Sequence, residues 1–169
     1  AMANGKFKGA LARAFKTGGL TVGPDFSQKI ADALELQAMD RLGLEARSSN
    51  LVTGSEKIEV AARRGQVHML LHAADAAADG SRKLDQAWRV GEEAEGTDQA
   101  GQVLPVGRDA LSKALGRENV VHIAVTNARA AERLHTLLSR WQCYAGCANG
   151  VGHENPADSK TADMPDGQS

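Results

Sequence analysis

The sequence predicts an α/β fold in which helices cover both faces of a sheet. Residues 67–72 and 120–126 are near-continuous apolar runs without period-two alternation, the pattern of strands buried on both faces. Around them apolar residues recur at helical spacing, and the order is helix first, then strand and helix alternating to the end. Strand candidates at 51–53, 67–72, 103–106 and 120–126 give a mixed sheet of about four strands.

Residues 4–16 place Phe7, Leu11 and Phe15 four apart, with Lys6, Arg13 and Lys16 off that stripe, which describes a short basic amphipathic helix. Thr17-Gly18-Gly19 ends it. Pro24 suits the first turn of a long helix running to about Arg47, with Phe26, Ile30, Ala33, Leu34, Ala38 and Leu42 as its apolar face and Gly43 as a potential break. Ser48-Ser49-Asn50 is a turn. Leu51-Val52-Thr53 extends, and Thr53 with Glu56 reads as a capping box for a helix ending at Gly65.

Asp79-Gly80-Ser81 opens the next helix, with Leu84, Ala87 and Trp88 facing inward, and residues 91–102, rich in Glu, Gly, Asp and Gln, predict a mobile loop. The strand at 103–106 contains Pro105, which implies an edge position. Arg108 to Leu115 is a short helix stopped by Gly116. Asn127 caps the last helix, whose Ala131, Leu134, Leu138 and Trp141 repeat at helical spacing. The expected organisation is thus a basic helix and linker at 1–20, one domain at 24–145, and an acidic, disordered tail at 146–169.

Of the 169 residues, 42% are hydrophobic and 24% charged, enough for one core of ordinary size. The formal net charge of −1 does not by itself advertise nucleic acid, but the charge is unevenly placed. Residues 1–16 hold Lys6, Lys8, Arg13 and Lys16 with no acid. Residues 147–169 set four acids against Lys160, and Glu92, Glu93, Glu95 and Asp98 crowd one segment. Two cysteines, Cys143 and Cys147, make no disulfide framework, so a reducing cytoplasm is the expected location. No run is long enough to cross a bilayer, and no secretory h-region opens the chain.

Enzymatic signatures are missing. G-x-G-x-x-G, G-x-x-x-x-G-K-[ST] and G-x-S-x-G do not occur, and Asp75 with Asp79 has neither a metal partner nor a nucleophile beside it. His68, His72 and His122 fall on strands without acidic or cysteine partners at ligand spacing, so neither a metal nor a cofactor is expected.

What stands out is Leu51-Val52-Thr53-Gly54-Ser55-Glu56-Lys57, a strand turning into a helix whose N-terminus could receive a phosphate on the amides after Gly54. Lys57 would add charge, while Glu56 repels phosphate. The competing reading is a plain capped helix. Arg82 and Lys83 are cations at a helix start, where the dipole disfavours them, which suggests a partner anion or else a solvated charge pair. Arg117 and Arg129 flank the second long strand, and their planar forks suit phosphate or an unpaired base.

Leu42-Gly43-Leu44, Leu51-Val52-Thr53-Gly54, Leu70-Leu71-His72-Ala73-Ala74-Asp75, the run from Ala114 to His122 and Ala131-Glu132-Arg133-Leu134 together resemble the C-terminal half of bacterial YlxR-type proteins. Those are predicted nucleic-acid-binding proteins associated with transcription termination. That half is similar in turn to the kink-turn-binding ribosomal protein L-seven-Ae and L-thirty-e superfamily. The resemblance covers roughly residues 38–142. It implies a three-layer α/β/α sandwich binding RNA through the loop at 53–57 and the loop around 118–129. It also implies a preceding YlxR domain with a Cys-x-x-Cys motif, absent here, of which residues 10–16 look like the tail. The opening Ala1-Met2-Ala3 reads as an appended leader, and the chain as a fragment of something longer.

The departures narrow this. Kink-turn binders read Gly-x-Asn-Glu-x-x-Lys from this loop, and aligned on Gly54 this chain has Glu56, Lys57 and Val60, so the Asn and the distal Lys are missing. Phosphate docking needs only backbone N–H groups and survives. The expectation is an RNA-binding protein for structured RNA, looped or kink-turn-like, in transcription termination or ribosome-linked RNA processing. Gly54, Ser55, Glu56 and Lys57 form its anion-facing turn, Arg117 and Arg129 its second rim, and Arg82 and Lys83 peripheral attraction. The alternative is an adaptor that meets ribosome or RNA polymerase components without touching RNA.

Overall fold

The computed structural model describes residues 26–148, with side chains to 145. The basic helix expected at 4–16 and the tail beyond 148 lie outside the described residues. Among the described residues five helices and four strands follow in the order α1 (Phe26–Arg47), β1 (Leu51–Thr53), α2 (Ser55–Arg63), β2 (Met69–His72), α3 (Ala78–Gly91), β3 (Gln102–Val103), α4 (Arg108–Leu115), β4 (His122–Val125) and α5 (Ala128–Ala148). The last helix runs through Gly146 rather than ending before it.

The sheet order is β1-β4-β2-β3. β4 is antiparallel to both neighbours, Leu51 opposing Val125 on one side and Leu71 opposing Ile123 on the other, and β3 runs parallel to β2. The sheet is therefore mixed, as expected. Pro105 falls just past the two-residue edge strand β3, so its missing N–H breaks no ladder.

Alternation along the two central strands sorts the cores. Met69, Leu71, Ile123 and Val125 point to one face, where Ala38 and Leu42 of α1, Leu111 of α4, and Leu134, Leu138 and Trp141 of α5 cover them. Leu70 and Ala124 point to the other, against Ile58 and Ala62 of α2 and Leu84 and Ala87 of α3. The result is the expected three layers, helix, sheet and helix. Trp88 closes the second core by donating its indole N–H to the Val67 carbonyl at 2.8 Å.

Gly43 does not break α1. A side chain there would bring its Cβ within 2.8 Å of the Ala114 carbonyl oxygen, so the glycine permits α1 and α4 to touch. Ala33, expected on the apolar face of α1, is exposed, and Glu45 is buried in its stead. Three donors satisfy Glu45: Arg41 at 3.0 Å, Asn50 at 2.7 Å and Arg133 at 2.8 Å. Burial pushes its carboxyl pKa up, but the hydrogen bonds of Asn50 and Arg133 and the charges of Arg133 and Arg41 outweigh it, and the net shift is downward. This cluster ties α1 to α5 beneath the start of β1.

Candidate nucleic-acid interface

Strand directions decide which loops meet. Because β1 and β2 both run antiparallel to β4, and β3 runs with β2, the C-terminal ends of β1, β2 and β3 share one sheet edge with the N-terminal end of β4. The Gly54 turn, the 73–77 and 104–107 connections and the 116–121 loop all lie there.

At this edge Gly54 takes φ +93°, a backbone region open to glycine, and nothing comes within 4 Å of where a Cβ would stand. Gly54 itself is the N-cap residue of α2, and no side chain caps the helix. The capping box read from Thr53 and Glu56 is therefore corrected. Glycine at the bend places Thr53 one position too early to reach the first turn, and its hydroxyl instead accepts a hydrogen bond from Arg117 Nη1 at 2.7 Å. Gly54, Ser55, Glu56 and Lys57 are all exposed, and Lys57 has no ion-pair partner among the described residues. The first-turn amides keep the partial positive charge of a helix start.

Arg117 arrives from a loop shaped by two left-handed residues, Gly116 at φ +62° and Asn119 at φ +53°. The Gly116 and Arg117 amides bond back to Lys113 and Ser112, closing α4. The guanidinium thus lies against the Gly54 turn, held by a neutral hydroxyl with its charge uncompensated. Glu56 and Glu118 are exposed nearby in sequence and temper the positive character of the edge.

Arg82 and Lys83 lie in the first turns of α3 and are taken up by acids. Arg82 pairs with Asp79, and Lys83 reaches across to Glu59 of α2 at 2.7 Å. Glu59 also receives Arg63, and the two cations hold its carboxyl below the usual range, the Lys83 hydrogen bond contributing most. Their placement at a helix start is explained by these partners.

Arg129 is the clear separation. It follows the C-terminal end of β4, so it lies at the opposite sheet edge, where Thr126 bonds to the Asn50 carbonyl and His68 to that of Val125. Arg129 is exposed and not part of a rim with Arg117, because β4 stands between them. Asn127 caps α5 as expected, its Oδ1 accepting from the Ala130 amide at 3.0 Å.

Two polar clusters at the first edge escaped the sequence reading. Asp75, set aside as an acid/base candidate, accepts from Arg108 twice, at the amide (2.9 Å) and at Nε (2.8 Å). Those bonds hold its carboxyl below the usual range and anchor α4. The second cluster is buried. His72 and His122, neighbours across β2 and β4, bring their Nδ1 atoms to 2.8 Å, and His72 Nε2 meets Asp85 Oδ1 at 3.0 Å. The Gly101 amide donates to the same oxygen at 2.8 Å. So His72 has an acidic partner after all, supplied by α3 and not by sequence spacing. The available signal was Asp85 itself, which lies between Leu84 and Trp88 on the inward stripe and needed a buried donor. Among the described residues no group of three histidine, cysteine or carboxylate side chains could hold a metal ion, and no helix is long and apolar enough to cross a membrane.

Fold and edge together define an α/β/α sandwich that presents an uncapped helix start and an arginine from a second loop on one edge. No family model matches the chain, and no curated protein does. Among solved structures it is similar to a protein of unknown function from Bacillus halodurans, 27% identical, over 61% of this chain and 97% of that one, with a TM-score of 0.53. It is also similar to a 15.5 kD RNA-binding protein from Giardia lamblia, 15% identical, over 66% of this chain and 90% of that one, with a TM-score of 0.43.

Proposed function

We propose that this protein binds structured RNA at the edge built from Gly54, Ser55, Glu56, Lys57 and Arg117, and that it acts without catalysis. The observation that carries the reading is the pairing of Arg117 with Thr53 beside an uncapped α2. Two loops far apart in sequence converge to offer backbone amides, a fixed guanidinium and the free ammonium of Lys57 to one anion. A phosphodiester fits that set, and the planar arginine can also stack on a base splayed from a loop. Without the Asn and distal Lys of the kink-turn pattern, the contacts are chiefly to the backbone, so shape is read ahead of sequence.

The setting we propose for this activity, on the sequence resemblance alone, is transcription termination or ribosome-linked RNA processing in the cytoplasm, with ribosome or RNA polymerase components as neighbours. Arg82 and Lys83 belong to the periphery, because their acids must be displaced before they can meet phosphate. Arg129 belongs to a different surface.

Gel-shift titration of a hairpin RNA across a salt series tests the reading. Lys57→Ala and Arg117→Ala should each weaken binding, and each should flatten the salt dependence by roughly one counterion. Equal affinity for wild type and both variants would sink it in favour of the adaptor reading.

A further inference from the structure

We propose that the face formed by α1 and α4 is a docking groove for the basic segment Lys6–Lys16 of the same chain. The groove has a floor of Leu36, Met39 and Leu44. Leu36 is 62% and Leu44 47% exposed, an unusual display for a helix that buries Ala38 and Leu42 completely on its other side. Asp32 and Glu35 line its wall toward the start of α1 and Asp40 lies midway, with Arg47 and Lys113 at the far end.

The segment offers a matching pattern. Phe7 and Phe15 are eight residues apart, with Leu11 between them, and Leu36 and Leu44 are also eight apart. On two helices both pairs span about 12 Å. Laid antiparallel to α1, Phe15 meets Leu36, Leu11 meets Met39 and Phe7 meets Leu44. That alignment brings Arg13 and Lys16 to the acidic half of the groove. The segment carries four cations and no acid, so charge as well as shape favours this direction.

Chain length permits it. Residues 17–25 separate the segment from α1, and nine residues reach at most about 30 Å. Doubling back from Phe26 to the level of Glu35, where this alignment puts Lys16, requires only about 14 Å along the helix axis. Gly18, Gly19, Gly23 and Pro24 in that stretch are residues suited to a reversal. The exposed leucines and the acids beside them are matched by the aromatic and basic side chains of the segment.

Cysteine crosslinking in the full chain tests the docking. In a background with Cys143→Ser and Cys147→Ser, Phe15→Cys with Leu36→Cys should oxidise to an intramolecular crosslink of monomer mass, at a yield independent of protein concentration. A control pairing Phe15→Cys with Glu118→Cys should give at least several-fold less. Adding Glu35→Lys should also lower the yield several-fold, as should raising the salt. In the full chain, Phe7→Ser with Phe15→Ser should shift the methyl resonances of Leu36 and Leu44 while leaving those of Leu70 and Leu84 in place. A crosslinked dimer would overturn the proposal in favour of a second copy on this face. Equal yields for the test and control pairs, or unmoved Leu36 and Leu44 resonances, would overturn it outright.

Discussion

His72 and His122 meet Nδ1 to Nδ1 at 2.8 Å across the two central strands, and Asp85 holds the far nitrogen of His72. The Gly101 amide donates to the same Asp85 oxygen that His72 meets, which makes that oxygen an acceptor. Asp85 accepts, so His72 carries its hydrogen on Nε2, its Nδ1 accepts, and His122 donates from its own Nδ1. The hydrogen positions are assigned from this network.

Stability should therefore depend on pH above the carboxylate range. Burial, with a smaller contribution from the charge of His72, lowers the His122 pKa below its ordinary 6.5, against the opposing pull of Asp85. A depressed folded value means that the unfolded chain binds the extra proton first as pH falls. The stabilisation is then complete above about pH 6.5 and is lost as pH drops toward the folded value. Urea titrations between pH 5 and 8 should show a falling midpoint on the acid side, and His122→Phe should flatten that slope. An unchanged slope in the variant would refute the assignment.

Asp85→Ala leaves His72 Nε2 and the Gly101 amide without their shared acceptor. A cost of about 2 kcal/mol is expected from two unmet buried donors. Asp85→Asn keeps an acceptor in place and should recover part of it. Denaturant midpoints of the two variants measure this, and equal losses would mean that the carboxylate charge, not the hydrogen bonds, matters.

Gly91→Ala should be among the most damaging single-methyl changes in the domain. A Cβ there would lie 1.8 Å from the Ala62 carbonyl oxygen, a backbone atom that cannot step aside without parting α2 from α3. We expect a loss of at least about 2 kcal/mol, read as a melting temperature lower by several degrees. Gly96→Ala, at φ +85° with open space around it, pays only for backbone conformation and should cost about 1 kcal/mol.

Glu45→Gln tests the α1–α5 tie. The acid is 3% exposed and receives three donors, two of them guanidinium groups. Removing its charge should destabilise the protein by about 2 kcal/mol at neutral pH, since Arg133 is partly exposed and can rehydrate. Below the ordinary carboxylate range the gap to wild type should close, because the lowered pKa of Glu45 gives stability that is present above about pH 4.5 and lost as pH falls. Thermal unfolding of both proteins at pH 3.5 and pH 7 checks the sign.

Local pattern was enough for the layers. Strands without alternation announced burial on both faces, and the apolar stripes of α3 and α5, the Gly116 stop of α4 and the Asn127 cap of α5 were readable because period and capping are properties of neighbouring residues. Thr53 shows where that reading stops. Thr-x-x-Glu is a sound local cap, yet Gly54 bends the chain and a guanidinium from 64 residues away takes the hydroxyl.

Hydrophobic spacing and backbone freedom act within a few residues, so the order of elements, the inward stripes of α3 and α5 and the glycine turn at the head of α2 were legible in the chain alone. Packing across the sheet brings Arg117 to that turn and carries Arg129 to the opposite edge, gives Lys83 to Glu59 and sets Asp85 against the buried histidine pair. Those outcomes depend on which way β4 runs beside β1 and β2, and strand direction is set by the packing of the whole sheet between its helices.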